Sequence, residues 1–176
     1  MKSQVWVSTI IYILIGLTII STLIIAAKPK IDEARDRFVI NYMINVMNSL
    51  DSTIYEVNDV IGTKRSFEIK INKGELKIIP ERNQIIYTIT TNFEFSQPGT
   101  LINIGKINLI TNKTRGKIET MLWITYSEPI NITTSPNEEG KNISLTQSTT
   151  PYTLFIENLG PPSTDNPNNT IYISLL

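Results

Sequence analysis

The sequence predicts an α+β protein, with a long N-terminal helix packed on a C-terminal antiparallel β-sandwich or barrel. Three observations carry this. A run without any charged residue, Val5 to Ala27, stands near the start of the chain. An apolar period of three to four residues follows it from Ile31 to Ile61. After Gly62 the period drops to two and turn residues recur at short intervals.

The first run reads VWVSTIIYILIGLTIISTLIIAA. At ~1.5 Å per residue it is long enough to cross a hydrocarbon core ~30 Å thick. Its hydroxyl residues, Ser8, Thr9, Thr18, Ser21 and Thr22, can bond to carbonyls of the preceding helical turn, so they do not forbid insertion. Gly16, Ser21, Ala26 and Ala27 are small enough to let another helix approach closely, which makes them the helix-packing candidates. A secretory signal peptide has an apolar core of only ~7–15 residues and a small-residue exit. Here Ala26-Ala27 lead into Lys28-Pro29-Lys30, and a helical pattern resumes at once.

The resumed pattern is Ile31, Ala34, Phe38, Tyr42, Val46, Leu50, Ile54, Val57 and Ile61, each three or four residues after the last. Glu33, Arg35, Asp36, Asn41, Asn48, Asp51 and Asp59 are assigned to the opposite, solvated face. Glu33 and Arg37 stand four apart and attract, whereas Asp32 and Asp36 repel. Pro29 is expected to kink one continuous helix over residues 4–61, with its membrane span at 5–27 and its amphipathic part at 31–61. Gly62 is the expected stop. A simple anchor would not need the amphipathic stripe. The stripe needs a partner, and the domain that follows is the expected one.

Within residues 62–176, Phe67 to Ile71 alternates as a half-buried strand does, and Asn72-Lys73-Gly74 is a turn. Further strand candidates are Leu76–Ile79, Ile85–Phe95, Leu101–Ile110, Ile118–Tyr126, Ile130–Thr133, Ile143–Thr146, Tyr152–Glu157 and Ile171–Leu176. Short strands at this regular spacing read as a sandwich or small barrel. The stretches 135–141 and 160–169, rich in Pro, Ser and Asn, read as loops. Phe93, Phe95, Trp123, Tyr126, Tyr152 and Phe155 lie on strands and are expected in the core.

Lys and Arg balance Asp and Glu at 16 each, so no basic excess points to a nucleic acid. The chain has no Cys and no His, which removes disulfides, thiolate sites and the commonest general base and metal ligand. Its carboxylates are scattered and it has no phosphate-binding loop, so no catalytic residue, metal site or cofactor is expected. Four sequons do stand out: Asn112-Lys113-Thr114, Asn131-Ile132-Thr133, Asn142-Ile143-Ser144 and Asn168-Asn169-Thr170. All lie in the β region, and each marks an N-glycan acceptor expected on an exposed loop.

The chain opens Met1-Lys2-Ser3-Gln4 directly before the apolar run. This start, the apolar-then-amphipathic helix and the C-terminal β domain together resemble the type IV pilin superfamily, most of all archaeal pilins and archaellins with class III signal peptides. Leaders of that kind often end in a basic and a small residue, with Gln first in the mature chain. The resemblance therefore implies a leader of residues 1–3, cut between Ser3 and Gln4 by a prepilin-type signal peptidase. Ser8 would be the fifth mature residue, where many members carry Glu, so the charge pairing such a Glu makes is not implied here. The resemblance also implies a membrane-inserted precursor that the pilus assembly machinery builds into a helical homopolymer at the cell surface. The helices would bundle with copies of themselves, and glycosylated heads would face outward and serve attachment. Lys2 before the span against Lys28, Lys30, Arg35 and Arg37 after it does not favour that orientation, whereas the sequons do. The alternative is a single-span surface protein or minor pilin that keeps Met1–Ser3, does not polymerise and acts as a binding module.

Overall fold

The computed structural model describes residues 2–114, 116–136, 140–162 and 168–176, with side chains from Trp6 onward. The chain divides into two compact units, Met1–Arg37 and Phe38–Leu176. The second unit reaches back well before residue 62, because the amphipathic part of the helix packs with the strands.

Helix α1 spans Lys2–Asn58 and runs through Pro29 without a break. In the first unit Glu33 pairs with both Lys30 and Arg37, each at 3.4 Å. The helix stops short of the expected Ile61. Gly62 turns the chain with φ +80 and donates its N–H to the Asn158 carbonyl at 2.8 Å.

The strands are β1 (Lys64–Ile69), β2 (Glu75–Ile79), β3 (Gln84–Thr91), β4 (Leu101–Ile104), β5 (Ile107–Thr114), β6 (Lys117–Thr125), β7 (Ile130–Thr133), β8 (Ile143–Thr146), β9 (Tyr152–Asn158) and β10 (Asn169–Leu175). They form a six-stranded sheet ordered β4-β5-β6-β3-β2-β8 and a four-stranded sheet ordered β1-β9-β10-β7. The protein is thus α+β, with one long N-terminal helix on two sheets.

Two expectations are corrected. The sheets are not purely antiparallel, because β10 lies parallel to β7, with Asn169 opposite Ile130 and Tyr172 opposite Thr133. Between those strands the chain visits the other sheet as β8, which gives the long return that a parallel pair requires. Neither sheet closes on itself among the described residues, so the barrel alternative does not hold. In addition, the single expected strand Leu101–Ile110 is a hairpin. Ile104 pairs with Ile107 across Gly105 and Lys106, and Gly105 takes the positive φ that such a tight turn uses. At Gly74, φ is +85 and an added Cβ would stand 2.5 Å from the Thr88 carbonyl oxygen, so only glycine fits there.

The core joins Ile40, Met43, Met47, Leu50, Ile54 and Val57 of the helix to Leu76, Ile85, Tyr87, Leu109 and Leu122 of the larger sheet and Leu154, Ile156, Ile171 and Ile173 of the smaller. The helix stripe therefore differs from the one expected. Leu50, Ile54 and Val57 are buried, but Ile31, Ala34, Phe38 and Ile61 are exposed and Tyr42 and Val46 are half-buried. The reason is geometric. Steps of four residues overshoot a 3.6-residue turn by about 40° each. The run from Ala34 to Ile54 takes only such steps and winds off the face that Ile54 occupies. Ile40, Met43 and Met47, which alternate steps of three and four, stay on it.

Candidate functional site

From Trp6 to Ile25 the large apolar side chains of α1 are exposed, Trp6 by 75% and Ile25 by 74%. The helix is long and apolar enough to cross a membrane. Two of its hydroxyls bond within it: Thr18 Oγ1 donates to the Leu14 carbonyl and Thr22 Oγ1 to that of Thr18, both at 2.8 Å. The exposed apolar side chains ask for apolar neighbours. Gly16 has nothing within 4 Å of where its Cβ would lie. At 100° per residue, Gly16 and Ala27 share a helix face to within about 20°, whereas Ser21 and Ala26 point to other sides. The four small residues thus form one pair rather than one stripe. The backbone of Ser3 and Gln4 is helical, and their side chains lie outside the described residues.

The four sequons are not all on loops. Asn142 is exposed just ahead of β8, and Asn168 is half-buried just ahead of β10. Asn131 is exposed within β7, an edge strand. Asn112 is half-buried within β5, and with Thr90, Thr114, Lys117 and Glu119 it lines an open cleft of about 340 Å³.

A polar cluster ties the helix to the larger sheet. Asp51, read from the sequence as solvated, is only 9% exposed. Asp36, from the same predicted face, is also buried. Lys106 Nζ, in the β4–β5 turn, lies 3.6 Å from Asp51 Oδ2 and 3.4 Å from the centre of the Tyr55 ring. The Tyr55 and Tyr126 rings stand 6.3 Å apart. Burial, reinforced by the charge of Asp51, pushes the Tyr126 hydroxyl well above the ordinary tyrosine range. For Lys106, burial pulls the ammonium pKa down, but contact with Tyr55 and the charge of Asp51 outweigh it and the net shift is upward. Elsewhere, the Ser144 hydroxyl donates to Glu75, and with Lys77 at 2.9 Å it holds that carboxyl below its usual range.

Among the described residues no three acidic side chains converge where a metal ion could sit. No family model, curated protein or solved structure matches this chain.

The aromatic residues divide. Phe93 and Tyr126 are in the core, and Phe95 and Tyr152 pack partly against it. Phe155 and Trp123 instead face outward, half-exposed, with the Lys64 ammonium 5.3 Å from the Phe155 ring centre. The sequence carried this signal. In KIETMLWIT, Trp123 shares its parity with Lys117, Glu119 and Thr125, and the buried Ile118, Leu122 and Ile124 take the other. The surfaces on view among the described residues are thus an apolar helix and the outward faces of two sheets.

Proposed function

We propose that the protein is the structural subunit of an extracellular filament of the type IV pilus kind, polymerising through its N-terminal helix. One observation carries this reading: the apolar side chains of Trp6 to Ile25 are exposed in the single chain, and the same helix continues unbroken into the compact unit that holds the strands. Such a surface must stay out of water. Lipid covers it in the precursor, and the helices of identical subunits cover it after assembly. The two sheets act as a sandwich-like head at the cell surface, and their outward faces serve attachment. Cleavage between Ser3 and Gln4 by a prepilin-type peptidase releases the subunit to the assembly machinery. The exposed sequons Asn131 and Asn142 support a head outside the cell.

The test is to determine the N-terminal residue of native protein and to image the same preparation by electron microscopy. Filaments made of chains that begin at Gln4 are the expected result. Intact Met1 without filaments would instead make the protein a non-polymerising single-span surface protein or minor pilin.

A further inference from the structure

We infer that the outward face of the six-stranded sheet is the seat of a glycan carried by Asn112 itself. This rests on the reading that the head lies outside the cell. Strand alternation puts Asn112 on the same outward face as Met121 and Trp123. The registers arrange that face in rows. Thr90, Glu119 and Asn112 lie side by side across β3, β6 and β5. Met121 and Ile110 make the next row, and Trp123 and Asn108 the one after. Rows two residues apart are ~6.6 Å apart, so the indole lies about 13 Å from the acceptor, a reach that a short oligosaccharide covers.

The chemistry changes along this path in the order that a glycan uses it. The cleft at Asn112 offers two hydroxyls, an ammonium and a carboxylate, from Thr90, Thr114, Lys117 and Glu119, to the hydroxyl-rich first sugar. Beyond it, Ile110, Met121 and Trp123 are only half-covered and present an apolar floor. The apolar C–H face of a pyranose stacks on such an indole, and the Asn108 amide flanks it for the ring hydroxyls. The occupant is identified by position: Asn112 and Thr114, both members of one sequon, are themselves walls of the cleft. In the attachment step, the Asn112 amide nitrogen bonds to the anomeric carbon of a lipid-phosphate-linked glycan donor. The bond from that carbon to the phosphate oxygen breaks, the lipid phosphate leaves with its electron pair, and one amide proton passes to a base of the transferase.

The experiment uses full-length protein from its native host in a Trp6→Phe background, so that Trp123 is the single fluorophore of its kind. Glycopeptide mass spectrometry reads occupancy at each sequon, and acrylamide quenching reads the exposure of Trp123. Asn112→Gln and Thr114→Ala each abolish the acceptor, and the second leaves the Asn112 side chain in place. The expected result is an occupied Asn112, with a quenching constant that rises in both variants while far-UV circular dichroism is unchanged. Glycans on other sequons with Asn112 bare overturn the proposal and leave the filament reading standing. So does an occupied Asn112 with unchanged quenching, which would leave that face to a free sugar or a second copy. Absence of glycan at every sequon overturns the proposal too, and whether filaments still form in that sample decides the filament reading separately.

Discussion

Asn158, at the end of β9, donates its side-chain amide to the Val57 carbonyl of the helix at 3.1 Å. The same nitrogen lies 3.0 Å from the Asn58 carbonyl oxygen, and Asn169 Nδ2 reaches that oxygen at 3.0 Å as well. A helix leaves its last carbonyls without partners. Here two amides from β9 and β10 satisfy the last two, those of Val57 and Asn58, and Asn158 is wholly buried as it does so.

Asn158→Ala should therefore destabilise the head by ~1–3 kcal/mol, the cost of leaving buried polar groups unmet. Urea unfolding of the variant against the parent measures it. An unchanged midpoint would mean that these carbonyls do not depend on the amide.

A fragment of residues 30–176 should be soluble and cooperatively folded, and a fragment of residues 62–176 should aggregate. The shorter one lacks Ile40, Met43, Met47, Leu50, Ile54 and Val57, all fully buried in the core. Each such side chain contributes ~1.5–3 kcal/mol on burial, and its loss uncovers a matching patch on the strands. Size-exclusion chromatography separates the outcomes, and equal behaviour of the two fragments would contradict the helix's place in the core.

Gly16→Leu raises the apolarity of the span, so membrane levels of the subunit should hold or rise. At a close helix contact the added bulk costs ~1–3 kcal/mol. Filament yield should then fall sharply, because every subunit repeats the clash. Immunoblots of membranes and micrographs of sheared filaments read the two effects apart, and normal filaments at normal membrane levels would remove Gly16 from any packed contact.

Tyr126→Phe tests the buried cluster. The Tyr126 hydroxyl and Asp51 Oδ1 are both buried without a hydrogen-bond partner among the described residues. Below the ordinary tyrosine pKa the folded and unfolded states both hold the proton, so this group adds no pH dependence there. Above it the unfolded chain ionises while folded Tyr126 keeps its proton, and stability falls as pH rises. The 30–176 fragment should lose stability between about pH 8 and about pH 11, and Tyr126→Phe should lessen that loss. At the lower pH the variant should be as stable as the parent or more so, because it removes an unmet hydroxyl. An identical alkaline loss in both proteins would place the titrating group elsewhere.

Much of this was legible from local pattern. The uncharged run, the change of period after Gly62 and the turn at Asn72–Gly74 each depend on neighbours in sequence, and the structure has a helix, strands and a positive-φ glycine in those places. What was missed depends on distance or on phase. Phe38 was assigned inward because steps of four were counted without their drift. Asp51 was assigned to water because its contact, Lys106, lies on a distant hairpin. That hairpin was hidden by apolar residues on both sides of Gly105. The parallel partnership of β7 and β10 and the amide of Asn158 on the helix end join segments that no local window spans.

The pairing of β1 with β9, Lys64 opposite Glu157, has a consequence for the time course of synthesis. The helix and β1 leave the ribosome early, yet the strand that pairs with β1 and the two amides that finish the helix are made late. At ~5–20 residues per second, the early segment waits on the order of ten seconds for its partners. During that interval β2 can pair with β3, and β4, β5 and β6 with one another, as near-neighbour hairpins, while β1 has no partner until β9 is made. A chain released before Asn158 and Asn169 are added lacks the partners of β1 and of the helix end, so the fold closes only after β9 and β10 have been made.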